Sequence, residues 1–493
     1  MIHKKLEEVL FVLPADTLLE VRLFIQSPYF THNSNVSTLL QLYDYILEFK
    51  NNNPHATLDK EQTAMLFFPT IPFVKGKKHA IDNLSSELFS IVKKFLGQKE
   101  MEKNQDFLEG LALSRFYRKN GFENRFFQTI TSLRKKEDQK RCRFNQYYLN
   151  QYLIEEEFAN YKGLNNTFVD DSNLTAKDRK LDVYYAILKF DQIFHFLNQQ
   201  SKANITTTVS PNLRKFLWES SEPGEILDLP VIQLYKLAIN LLENTGNTSD
   251  TEFFDLLDEI EEQLPFHKLK DLRAFQRTLL IRRYNQSSDK VNSSTLFSTY
   301  KDHLEKALLL YDNKITVHSF KNLAIFALKF KEYNWIEQFF NDYPPERICG
   351  TKYPFEIHSL RRADYHYYIG EYDRALELIN YKAFEDPQSS IVADVLQIKI
   401  YFETENDILE YRLKSMDQKV RRTNLADSVK NRYYNFIKKT DKLIKYGGLA
   451  KDHKKLSKLK EELISMPDII EREWLLEKTM EALGEETKTA VPE

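Results

Sequence analysis

The apolar positions of this chain recur at intervals of three and four almost throughout, the spacing that lines one face of an α-helix. Between Leu181 and Leu197 the series Tyr184, Ala186, Ile187, Leu188, Phe190, Ile193, Phe194 and Leu197 keeps that period, and Thr175 with Asp178 supplies the side chains of a capping box. The same pattern predicts helices near 35–50, 77–96, 104–119, 142–162, 228–243, 250–263, 266–286 and 292–311. Further helices are predicted near 314–331, 355–381, 387–416, 424–446, 449–465 and 468–483. No alternating pattern predicts a strand. Turn residues gather at Asn51–Pro54, Lys162–Asn173, Ser220–Gly224, Gly246–Asp250, Tyr343–Pro345 and Gly447–Gly448. The expected fold class is all-α.

From about residue 228 onward the predicted helices come in antiparallel pairs, the arrangement by which an α-solenoid buries faces that no single pair could bury. The clearest unit runs from Ser359 to Pro387. It has small Ala363 inside the first helix, Gly370 at the turn, Tyr372 after it, Ala375 where the two helices meet, Ile379 as a packer, and Pro387 opening the next unit. On these residues it resembles a tetratricopeptide repeat, with His366 where the family carries an aromatic and Lys382 where it carries alanine. Weaker echoes fall at Phe326–Tyr333 and at Tyr401–Asp407, which extends the resemblance over about 316–416. Three regions are expected: a helical N-terminal block over 1–100, a long-helix connecting region over 101–227, and the tetratricopeptide-like array over 228–483, with a flexible tail at 484–493.

Within the first block, Leu58–Pro69 followed by Lys77–Phe89 looks like the last two helices of a winged helix-turn-helix, a domain found ahead of tetratricopeptide arrays in bacterial activators. A wing requires a β-hairpin after the second helix. Gly97 to Glu100 leads instead into another amphipathic pattern with Phe107, Leu111 and Phe116, so an all-helical cap is the favoured reading. The block also resembles the N-terminal region of uncharacterised bacterial helical-repeat proteins, through Ser27–Phe30 and Leu66–Pro69.

Composition narrows the chemistry. Of the 493 residues 42% are hydrophobic and only 12 are glycine, so a core is affordable and glycine-rich phosphate loops are not. No GxxxxGK, GxGxxG, GxSxG, HExxH or EF-hand pattern occurs, and neither an enzyme nor a cofactor is expected. The two cysteines, Cys142 and Cys349, form no CxxC pair, which suits reduced thiols in the cytoplasm. No signal peptide and no apolar run of membrane-spanning length is predicted. Cys349, His358, Asp364 and His366 form the only local mix of metal-ligating types, but the two histidines would stand about 80° apart and two helical turns distant, a poor cage for one ion.

Net charge is -2, yet it is unevenly spread. Residues 93–145 hold 14 basic and 7 acidic side chains, residues 219–264 hold 1 and 12, and residues 412–460 hold 16 and 4. The acidic middle could meet a basic flank of another copy. The second basic flank sets Arg421, Arg422, Arg432, Lys438 and Lys439 among tyrosines, a composition that also suits nucleic acid. The leading expectation is a scaffold that binds another protein, as a peptide or helix, in a concave groove lined by the first helix of each pair. Lys321 and Lys329, then Asp364, Tyr367 and Tyr368, then Lys399 and Phe402 are the candidate contacts.

Overall fold

In the computed structural model, residues 2–29, 35–53, 58–102, 105–164, 172–201, 226–243, 249–287, 290–380, 384–448, 451–466 and 468–485 are described. The chain is all-α among these residues, apart from three very short strands. The predicted break at Ser220–Gly224, parts of those at 51–54, 162–173 and 246–250, and the tail beyond Glu485 lie outside the described residues. No helix among the described residues is long and apolar enough to cross a membrane. Two compact units divide the chain, the first taking 1–195 and 207–235 and the second 196–206 and 236–493.

The first unit opens with α1 (Ile2–Leu10), α2 (Ala15–Gln26), α3 (Val36–Asn52), α4 (Lys60–Phe67) and α5 (Ala80–Met101). Helix α5 is the spine, because Ile81, Leu84, Leu88 and Val92 share one core with Leu6, Leu10, Ile25, Leu39 and Tyr43. Its start is fixed by a capping box between His79 and Asp82, and Asp82 also receives Lys60 Nζ at 2.9 Å, which ties α4 to α5. No hairpin follows residue 96 among the described residues: α5 continues to Met101 and α6 (Gln105–Lys119) starts at once. α6 then packs with α7 (Glu123–Asp138) and α8 (Asn145–Leu164) around Phe107, Leu111, Phe126, Ile130, Leu133 and Ile154. Buried Glu157 of α8 takes both Arg115 and Arg118 of α6. Helix α9 (Ser172–Gln200) follows, and near the end of this unit Tyr235, in α10 (Pro230–Glu243), donates to Asp191 of α9 at 2.8 Å.

The second unit comprises α11 (Asp250–Glu259), α12 (Phe266–Ser287), α13 (Lys290–Glu305), β1 (Leu310–Tyr311), β2 (Lys314–Thr316), α14 (Val317–Lys329), α15 (Tyr333–Asp342) and β3 (Ile348–Cys349). After these come α16 (Pro354–Tyr368), α17 (Tyr372–Asn380), α18 (Pro387–Glu403), α19 (Leu409–Arg422), α20 (Asp427–Gly447), α21 (His453–Ser465) and α22 (Arg472–Leu483). The strands correct the strand-free expectation. β1 and β2 form an antiparallel hairpin closed by Asp312 and Asn313, both at positive φ, and β3 pairs parallel to β2. Two or three residues are too few to show alternation, and helical periodicity absorbed β1 and β2 into the helices predicted near 292–311 and 314–331.

Three helix pairs, α14 with α15, α16 with α17 and α18 with α19, are closed by the same turn. Lys331, Gly370 and Glu405 each adopt positive φ, at 56°, 82° and 49°. The next amide donates back five residues in every case, Glu332 to Ala327, Glu371 to His366 and Asn406 to Tyr401. This is the Schellman geometry, which satisfies the last carbonyls of the first helix. Ala363 and Ala375 are fully buried together in the middle pair, Tyr372 packs its ring 5.7 Å from that of Tyr367, and Pro387 occupies the first turn of α18. His366 lies against Glu371 at 2.8 Å, and His358 against the Phe340 carbonyl at 3.2 Å.

Only one of the three turns uses glycine, and a non-glycine residue pays about 1 kcal/mol or more for the left-handed region. Lys331→Gly and Glu405→Gly are therefore expected to raise the melting temperature of the second unit, whereas Gly370→Ala lowers it, through a stability loss of about 1 kcal/mol. Differential scanning calorimetry of the three variants checks the opposite signs.

Candidate functional site

The first helices of the three pairs, α14, α16 and α18, carry the predicted groove residues, and the structure brings these together with α22. Helix α18 is buried on nearly every side, from Ser389 to Ile400. Asp386 makes its N-cap, accepting from the Ser389 amide at 2.9 Å and the Ser389 hydroxyl at 2.6 Å. At the other end Glu403 gathers three donors. Tyr367 Oη of α16 lies at 3.0 Å, and Trp474 Nε1 and Lys478 Nζ of α22 lie at 3.1 and 2.8 Å.

Lys399 is only 5% exposed and pairs with Glu471 at 2.7 Å, just before α22. Its ammonium also stands over the rings of Tyr367 and Tyr368, 4.6 and 5.6 Å from their centroids. Burial alone would loosen the Lys399 proton, but Glu471 and the neighbouring groups outweigh it and the pKa rises. Lys329 behaves alike: burial opposes its charge, yet Tyr284 at 3.1 Å and Glu473 at 3.0 Å raise its pKa. Phe402 meets Trp474 edge to face at 5.3 Å. Glu471 itself holds positive φ, 51°, where the chain turns into α22.

The predicted groove residues thus divide into two groups. Tyr367, Lys399 and Phe402 are engaged by the chain's own last helix. Tyr367 is 9% exposed, and burial with Glu403 beside it pushes its hydroxyl pKa strongly up. Tyr368, by contrast, is 47% exposed, and on α14 the neighbouring Ile325 is 46% exposed. Lys321 is half-buried, with its pKa lowered by burial and by Arg361 nearby. Asp364 is paired with Arg361 at 2.8 Å, and burial still raises its pKa. Lys321, Ile325 and Tyr368 therefore stay at least partly exposed.

The second basic flank is less uniform than its composition. Lys439 is buried, and with Lys442 it holds Glu462, whose carboxylate pKa these two lysines depress to about 2. Arg421 pairs with Asp417 one turn away at 2.8 Å. Arg422, Arg432 and Lys438 stand exposed on α19 and α20. Among the described residues no group of three or more His, Cys, Asp or Glu side chains is placed to hold a metal ion. Sequence reasoning missed Glu471, Glu473, Trp474 and Lys478. The spacing predicts the helix near 468–483, but nothing local shows where that helix docks.

Two adjacent tyrosines should respond differently to truncation. Tyr367→Ala removes a buried ring and a hydrogen bond to Glu403, and is expected to cost about 3 kcal/mol or more. Tyr368→Ala is expected to change stability by less than about 1 kcal/mol. Chemical denaturation followed by tryptophan fluorescence compares them. Equal losses would contradict the division between covered and open groove residues.

No protein-family model matches this chain, and neither the curated proteins nor the solved structures include a significant match.

Proposed function

We propose that the protein is a non-enzymatic scaffold of tetratricopeptide-like architecture that binds another protein along α14, α16 and α18. One observation carries the reading. This face already accommodates an acidic, aromatic helix, with Glu471 and Glu473 of the α22 region on Lys399 and Lys329 and Trp474 on Phe402. The adjoining Lys321, Ile325 and Tyr368, at least partly exposed, offer the same mixture of ammonium, aliphatic and aromatic groups. A partner peptide or helix with acidic residues beside an apolar anchor fits it, the rings supplying area and the ammonium groups steering approach. The helical continuation past residue 96 favours this reading over a DNA-reading regulator built on 55–96.

Replacing Tyr368 by a photo-crosslinking phenylalanine analogue in the native cell is expected to yield a discrete adduct with one protein. The same analogue at Tyr411 on α19, which is 70% exposed, serves as the control and is expected to give none. An adduct with nucleic acid, identical adducts from both positions, or none from Tyr368 would contradict the proposal.

A further inference from the structure

Helix α6 is apolar on two faces. Phe107, Leu111 and Ser114 are buried within its own unit. Leu108, Ala112 and Phe116, at i, i+4 and i+8, form a second stripe that stays open, with Leu108 48% and Phe116 53% exposed. A surface helix ordinarily shows one apolar stripe, and a contiguous exposed one marks a contact surface. The stripe borders a cleft of about 580 Å³ between α5 and α6, walled by Gly97 and Met101 on one side and by Leu108 and Ala112 on the other. Met101 is 67% exposed. Gly97 leaves the α5 wall low, since a Cβ placed there would meet no atom within 4 Å.

The residues along this face indicate what covers it, because they are arranged symmetrically about Ala112. A two-fold axis through Ala112 sets α6 antiparallel to α6 of a second copy. Leu108 then meets Phe116 of that copy, Glu109 meets Arg115, and Gln105 meets Lys119. All of these side chains are exposed. Arg115 keeps 47% of its side chain exposed even while its Nε donates to Glu157 at 2.7 Å. The acidic first turn and basic last turn of α6 also match when the helices run opposite ways, as do the two helix dipoles. Alanine at the crossing point permits the close approach of about 8 Å that helix pairs reach when small residues meet. An unrelated partner would have no reason to be mirrored in this pattern of apolar and charged positions. We propose that the protein is a two-fold symmetric dimer, joined through α6 with its crossing point at Ala112.

The test uses the full chain with Cys142→Ser and Cys349→Ser, so that introduced thiols are the only ones present. Ala112→Cys lies on the axis and is expected to form a disulfide-linked dimer on mild oxidation. Leu108→Cys alone is expected to stay unlinked, and the double variant Leu108→Cys, Phe116→Cys to link. Sedimentation of the unmodified chain is expected to give twice the 58.5 kDa chain mass. Leu108→Glu should raise the dimer dissociation constant by at least about tenfold with an unchanged circular dichroism spectrum. A monomer at tens of micromolar overturns the proposal. So does a dimer in which Ala112→Cys fails to cross-link, or one that Leu108→Glu leaves intact.

Discussion

The second unit's inner face depends on one carboxylate. Glu403 ends α18, and its oxygens hold a phenol from α16 together with an indole and an ammonium from α22. A carboxylate 15% exposed would be costly to bury alone, but three donors from two helices repay that cost and fix the angle between them. Around it Phe402 and Phe436 enclose Trp474, and Glu471 neutralises Lys399. The last helix is therefore seated by polar contacts that specify where it lies, on top of the apolar contacts that make it stay.

This seat changes the meaning of the groove. An array of helix pairs leaves the inner face of its first helices without a following neighbour. Here the α22 region meets Lys399 and Phe402 of α18 and Lys329 of α14, while Lys321, Ile325 and Tyr368 stay partly exposed. In the proposed scaffold the groove is thereby shortened, with acidic Glu473, 75% exposed, at its covered end. In that proposal such a terminus would set the register of an incoming acidic segment by repulsion on one side and by the lysines on the other.

Much of the local structure was legible because it is written in short-range chemistry. The three-and-four spacing located the long helix Ser172–Gln200, and Gly370 with Ala363 and Ala375 located the turn and the close contact of the middle pair. The turns at Lys331 and Glu405 carried no glycine, so the common geometry of the three pairs showed only in the backbone. The spacing singles out Lys399 and Tyr367 and predicts a helix near 468–483, yet it does not show that this helix packs on them, because Lys399 and Glu471 are 72 residues apart and no local spacing joins them. Lys439 read as part of a basic surface for the same reason, since its partner Glu462 stands on the next helix. Charge counts along a chain say nothing about which charges fold inward against each other.

The central claim is that α22 is seated against α16 and α18 and held there by Glu403. Native-state hydrogen exchange on the full chain, comparing the unmodified protein with Glu403→Gln, tests it most directly. Amides of Arg472–Leu483 should be protected in the unmodified protein and lose protection by about tenfold or more in the variant, with α14 and α15 unaffected. Unprotected α22 amides in the unmodified protein, or protection indifferent to Glu403→Gln, would contradict the account.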